Sequence, residues 1–170
     1  MNKEKREYRN FDFQIERRSK KDFKVRGYAT TFGNEYRLYS SKDCEVREIM
    51  TADAFKETDL SNVIMQYNHE GRVYARTTNN TLKLKVNAIG LYIEAYLGGT
   101  EEGRKLYEEI AEGYTDKMSI GMRVDQDFDV WTQRKEGEKI VEIRTINKIA
   151  ELFDVSAVSI PANNKTTIRA

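Results

Sequence analysis

Val63-Ile64-Met65-Gln66-Tyr67 is an apolar run of strand length, and it breaks at Asn68-His69-Glu70-Gly71. Val73 to Thr77 resumes it, Asn79-Asn80 turns the chain again, and Leu82-Lys83-Leu84-Lys85-Val86 alternates residue by residue. A further turn occupies 87–90, and Leu91 to Leu97 makes another strand. Alternation at period two sends successive side chains to opposite faces. Short strands joined by polar turns are the sequence habit of a barrel or a sandwich.

Working outward, Phe11-Asp12-Phe13-Gln14-Ile15 and Phe23 to Phe32 read as earlier strands, with Gly27 a bulge or a point of close approach. Residues 33–43 read as a polar loop and Cys44 to Met50 as a strand, after which Thr51 can cap a short helix through Ala52, Ala54 and Phe55. The one substantial helix is expected from Thr100 to Gly113. Thr100 suits the N-cap, Glu101 and Glu102 favour the positive end of the macrodipole, and Gly113 suits the position after the last turn. Lys117-Met118-Ser119-Ile120-Gly121-Met122 follows as a strand, with Met118, Ile120, Met122 and Val124 on one face and Ser119, Gly121 and Arg123 on the other. Asp125, Asp127 and Asp129 read as a solvated strand edge that discourages further pairing. Lys139 to Ile149 and Leu152 to Ile160 complete the set before Pro161. The expected fold is mainly β (α+β), a closed or nearly closed antiparallel β-barrel with peripheral helices. A charged N-terminal arm over 1–22 leads into it, and 23–170 form one domain.

The bulk composition narrows the function. Hydrophobic content is 39% and charged content 34%, enough apolar chain over 170 residues for one real core. Basic and acidic residues number 29 and 28, so no global charge draws the chain to nucleic acid or to anionic membrane. The basic clusters at Lys3, Lys5 and Arg6 and at Arg17, Arg18, Lys20 and Lys21 read as a solvated arm. No apolar run approaches the roughly 18 residues of a spanning helix, and the first residues lack the apolar stretch of a signal peptide, so an intracellular protein is expected. One cysteine, Cys44, and one histidine leave too few ligands for an ordinary zinc site, and no metal or cofactor is expected.

Three side chains have a chemistry of their own. His69, the only histidine, stands where an apolar strand gives way to a polar turn, which suits either a general base or a surface residue. Ser119 is a hydroxyl on a strand, with Gly121 beside it admitting close backbone approach. Asp154 lies among apolar neighbours in Leu152-Phe153-Asp154-Val155-Ser156-Ala157-Val158 and needs a partner, an imidazole N–H or a basic side chain. Glu151 is the competing acid, and Ser156, on the Asp154 face, can support that carboxylate by a hydrogen bond. Serine, histidine and acid are the parts of an acyl-transfer triad, which the sequence alone does not bring together.

The wording of the segments resembles one family. Glu48-Ile49-Met50 with Ala54-Phe55, Tyr67-Asn68-His69-Glu70, Arg76 with Thr81-Leu82-Lys83-Leu84, Gly90-Leu91-Tyr92, Met118-Ser119-Ile120-Gly121-Met122, and Phe153-Asp154-Val155-Ser156-Ala157-Val158 with Pro161-Ala162-Asn163 occur in the order found in the HK97-type prohead proteases of tailed phages. Six motifs in order, over roughly 25–165, are fairly specific together. The resemblance implies a herpesvirus-protease-like barrel and a serine endopeptidase that processes the scaffolding segment of a phage capsid protein, and itself, inside an assembling prohead in the host cytoplasm. It implies Ser119 as nucleophile, His69 as base and Asp154 as acid, where the family usually has Glu. Such a site needs an oxyanion hole, for which Gly121 or the Arg123 neighbourhood is the candidate, and the sequence does not identify its donors. A homodimer belongs to the same expectation, and Ala170, nine residues after Pro161, is expected at or near a boundary, either of self-processing or of the expressed chain. Two other classes stay open: a non-catalytic capsid-assembly scaffold or binding module with the same barrel, and a barrel binding nucleic acid through its basic arm.

Overall fold

The computed structural model describes residues 7–12 and 22–159. In chain order the strands are β1 (Glu7–Asp12), β2 (Lys24–Thr31), β3 (Tyr36–Ser40), β4 (Cys44–Met50), β5 (Ile64–Tyr67) and β6 (Glu70–Arg76). They continue as β7 (Leu82–Val86), β8 (Gly90–Tyr96), β9 (Lys117–Val124), β10 (Val130–Glu136), β11 (Lys139–Ile146) and β12 (Ile149–Val158). Among the described residues there is one α-helix, α1 (Glu101–Ala111), preceding β9, and 3-10 turns occur at Ala52–Phe55, Thr77–Asn79 and Gln126–Phe128.

The mainly β expectation holds, but the closed barrel does not. Among the described residues the strands form three open sheets, ordered β1-β9-β12-β5-β6, β10-β11-β4-β3 and β2-β8-β7. Nor is the pairing wholly antiparallel, because β4 runs parallel to β11 and β5 parallel to β12. Alternation in sequence specifies which faces a strand presents and not which neighbour it takes. Both parallel partners are distant in the chain, so nothing local announces them.

The central sheet carries a dry face. Met118, Ile120 and Met122 of β9, Val155 and Ala157 of β12 and Met65 of β5 are completely buried in one core cluster. Leu106, Tyr107 and Ile110 of α1 join that cluster, with the Tyr107 ring 5.4 Å from Phe23 in an edge contact. The helix starts where the sequence indicates, the Thr100 hydroxyl accepting from the Gly103 N–H at 3.0 Å, and Gly113 lies just past its end at φ +80°. Thr51 precedes its short helical turn without capping it; its hydroxyl donates instead to the Ile146 carbonyl.

Two charged stretches behave differently from their sequence reading. The first strand forms at Glu7–Asp12, within the residues read as an arm, and 13–15 of the expected strand lie outside the described residues, as do the remaining basic clusters. The aspartates at 125–129 do not line a strand: Gln126–Phe128 is a 3-10 turn, and Asp129 accepts from Arg144 at 2.6 Å. Glu7, Arg9, Glu48, Asp129 and Arg144 form one largely buried ionic network, in which Arg9 and Arg144 both donate to the fully buried Glu48. Arg144 also donates to Glu7 at 2.6 Å, and the Tyr36 hydroxyl to Glu48 at 2.9 Å.

Candidate active site

Strand β9 lies between β1 and β12, and its register with β12 builds the site. Ser119 faces Ser156 and Gly121 faces Asp154, so these four residues are the corners of one patch on one sheet face. Ser119 and Asp154 are diagonal across it. Diagonal neighbours on an antiparallel pair stand about 7–8 Å apart, too far for direct contact and right for a bridging imidazole.

His69 supplies that bridge. It occupies the second position of the two-residue loop between β5 and β6, with Tyr67 paired to Glu70 on either side. Asn68 and His69 have φ of 51° and 60°, the left-handed geometry that a type I′ hairpin demands at both positions. Glycine is the usual second residue there, so an imidazole is held in a conformation with a conformational cost. Asn68 pins the loop: its N–H donates to the Ala157 carbonyl at 2.9 Å, its side-chain oxygen accepts from the Ser159 N–H at 3.0 Å, and its amide donates to the Ser159 hydroxyl at 3.1 Å. The turn is thereby fastened to the end of β12, the strand that bears Asp154.

The resulting distances are short. His69 Nε2 lies 2.5 Å from Ser119 Oγ, and Nδ1 lies 2.6 Å from Asp154 Oδ1. The Ser156 hydroxyl donates to that same Asp154 oxygen at 2.7 Å. Ser119, Asp154 and Ser156 are wholly buried, whereas the His69 side chain keeps 14% of its surface exposed. A carboxylate in such a place favours the tautomer with the proton on Nδ1, which leaves Nε2 free to accept from the serine.

Of the other sequence candidates, Gly121 lies in this patch while Glu151 and Arg123 fall elsewhere. Glu151 is exposed and takes the Arg123 guanidinium at 3.1 Å near the far end of the β9–β12 ladder. Gly121 sits on the Ser119 face, and Arg123 is engaged with Glu151. The turn geometry at Asn68-His69 and its brace at Ser159 were missed by sequence reasoning. Two strands joined by two residues beginning with Asn is a hairpin signal, and that signal was available.

Read together, the fold and this Ser–His–Asp constellation have the form of an acyl-transfer site on a β-sheet scaffold. The chain belongs to the caudovirus prohead serine protease family, whose model matches residues 11–170. A search of curated proteins and of solved structures returned no match. Membership makes the chain one of a family of peptide-bond hydrolases of phage capsid maturation.

Proposed function

We propose that this chain is the serine endopeptidase that removes the scaffolding segment of a phage capsid protein, and cleaves itself, within the assembling shell, with Ser119, His69 and Asp154 as its triad. The observation that carries this reading is the continuous path from Ser119 Oγ through both nitrogens of His69 to Asp154, at 2.5 and 2.6 Å.

His69 Nε2 takes the hydroxyl proton as Ser119 Oγ bonds to the scissile carbonyl carbon, and the carbonyl oxygen becomes an oxyanion. The imidazolium then gives that proton to the departing amine as the C–N bond breaks, leaving an acyl-serine. Water repeats the sequence in the second half, its proton passing to His69 and back to Ser119 as the acid product leaves. Asp154 stays ionised, holds the ring and stabilises its charged form. Gly121 presents no side chain at the fourth corner of the patch.

Labelling with a serine-directed fluorophosphonate tests the assignment. Wild type is expected to label, and Ser119→Ala and His69→Ala are expected not to. Labelling that persists in Ser119→Ala removes Ser119 from the role; a wild type that never labels favours a non-catalytic assembly module.

A further inference from the structure

Arg76 closes β6 opposite Ile64 of β5, and Ile64 stands beside Asp154 of β12. Residues side by side in a sheet share a face. Gly121, Asp154, Ile64 and Arg76 therefore form one row across four strands on the triad face, while Met65, Ala75 and Val155 in the next row point into the core. Every other arginine of the described residues has a polar partner, for example Arg72 with Glu102, Arg104 with the Gly98 carbonyl and Arg123 with Glu151. The Arg76 guanidinium has none: its Nε is buried and unpaired, and no carboxylate or carbonyl among the described residues takes its N–H groups. Only its backbone is engaged, by the Thr81 hydroxyl.

A guanidinium stays charged at any working pH, and a half-buried one with no acceptor among the described residues is costly unless something beyond them supplies that acceptor. Its planar fork of donors matches a carboxylate. We propose that Arg76 is a specificity-determining residue that receives an acidic side chain of the substrate peptide, an inference that rests on the protease reading above. Arg76 stands three strands from β9, about 14 Å at roughly 4.8 Å per strand spacing, and an extended peptide covers that in about four residues at ~3.3 Å each. The acid therefore belongs within about four residues of the scissile bond.

The test uses a peptide library made by digesting denatured proteins, with cleavage positions read by mass spectrometry. Wild type should show Asp or Glu enriched within four positions of the cut. Arg76→Glu should lose that enrichment and gain Lys or Arg there, with kcat/KM on a matched acidic peptide falling roughly thirtyfold or more, the usual effect of removing one partner of a desolvated charge pair. Equal profiles for the two proteins overturn the proposal. Because the Arg76 guanidinium holds nothing among the described residues, Arg76→Met should melt at or above the wild-type temperature; a marked fall makes its role structural and overturns the proposal as well. Fluorophosphonate labelling of all variants separates the two readings, since labelled protein with unaltered specificity refutes Arg76 alone. Should wild type fail to label, Ser119→Ala and the double variant with Arg76→Glu are compared as immobilised baits for the same library. Acidic peptides retained only by the first support the carboxylate site, and equal retention refutes it.

Discussion

The acid of the proposed triad is where residue-level chemistry can be separated from residue-level proximity. Asp154 is fully buried with one oxygen on His69, while Glu151 is exposed on Arg123. Asp154→Asn keeps the shape but places an amide where the imidazole needs an acceptor, so fluorophosphonate labelling should slow by roughly 10³–10⁴-fold. Glu151→Gln should stay within about twofold, and a large loss there would transfer the role. In the proposed mechanism Ser156 acts one step back, as a positioning residue. Removing its hydroxyl takes one of the two donors from Asp154 Oδ1, so Ser156→Ala should lower kcat by about tenfold with KM little changed, and Ser156→Thr should recover most of it. These residues were legible in the sequence as chemistry without geometry. An acid among apolar neighbours announces that it needs a partner, and a lone histidine at a strand end announces that it is presented. Neither says that residues 50 and 85 positions apart meet.

At the scale of the element, the hairpin loop decides whether His69 arrives in register. Two adjacent left-handed residues are held by three contacts from Asn68 to the end of β12. Asn68→Gly keeps access to the left-handed conformation and loses the side-chain bonds, whereas Asn68→Ala loses both. Labelling rates should therefore fall in the order wild type, Gly, Ala, with the Ala variant about 1–2 kcal/mol less stable than wild type to urea. Equal rates for all three would mean that the ring is placed by its own partners and not by the turn. The strands β5, β9 and β12 were readable from alternation and apolar runs because each has one face in the core. Strand order was not, because the β5–β12 pairing is parallel and joins segments about 90 residues apart. Closure into a barrel was inferred from the number and shortness of strands, a pattern that open sheets packed together satisfy equally well.

Across the whole molecule, β9, the strand that bears Ser119, is tied to the second sheet by charge. β1 flanks β9 with Asn10 opposite Ser119, and the Glu7 and Arg9 side chains of β1 reach Glu48 of β4 and Arg144 of β11. In the sequence Glu7 and Arg9 fall within residues read as a charged arm, since charge next to charge near a terminus is usually solvated; only partners 137 and 39 residues away make their burial tolerable. Burial opposes ionisation of Glu7, but hydrogen bonds and charge from Arg144 and Arg9 outweigh it and hold the carboxyl below its ordinary 4.5. On the protein surface, hydrogen bonds from Arg134 and Arg47 hold Glu35 down to about 2. A carboxyl whose folded pKa lies below its unfolded value binds a proton less readily when folded. Its stabilisation is therefore complete above about pH 4.5 and is lost as pH falls through the folded value. Asp129 has the opposite sign: burial, only partly offset by Arg144, raises its pKa, so its ionisation opposes folding as pH rises above the ordinary carboxyl range. The melting temperature should thus drop steeply between pH 4.5 and 2.5. Glu7→Gln should lower it at pH 7 and flatten that drop, while Asp129→Asn should leave the pH 7 value unchanged or raised. If Glu7→Gln melts like wild type at pH 7, β1 is held by its ladder with β9 alone, and the ionic network contributes nothing to keeping the Ser119 strand flanked.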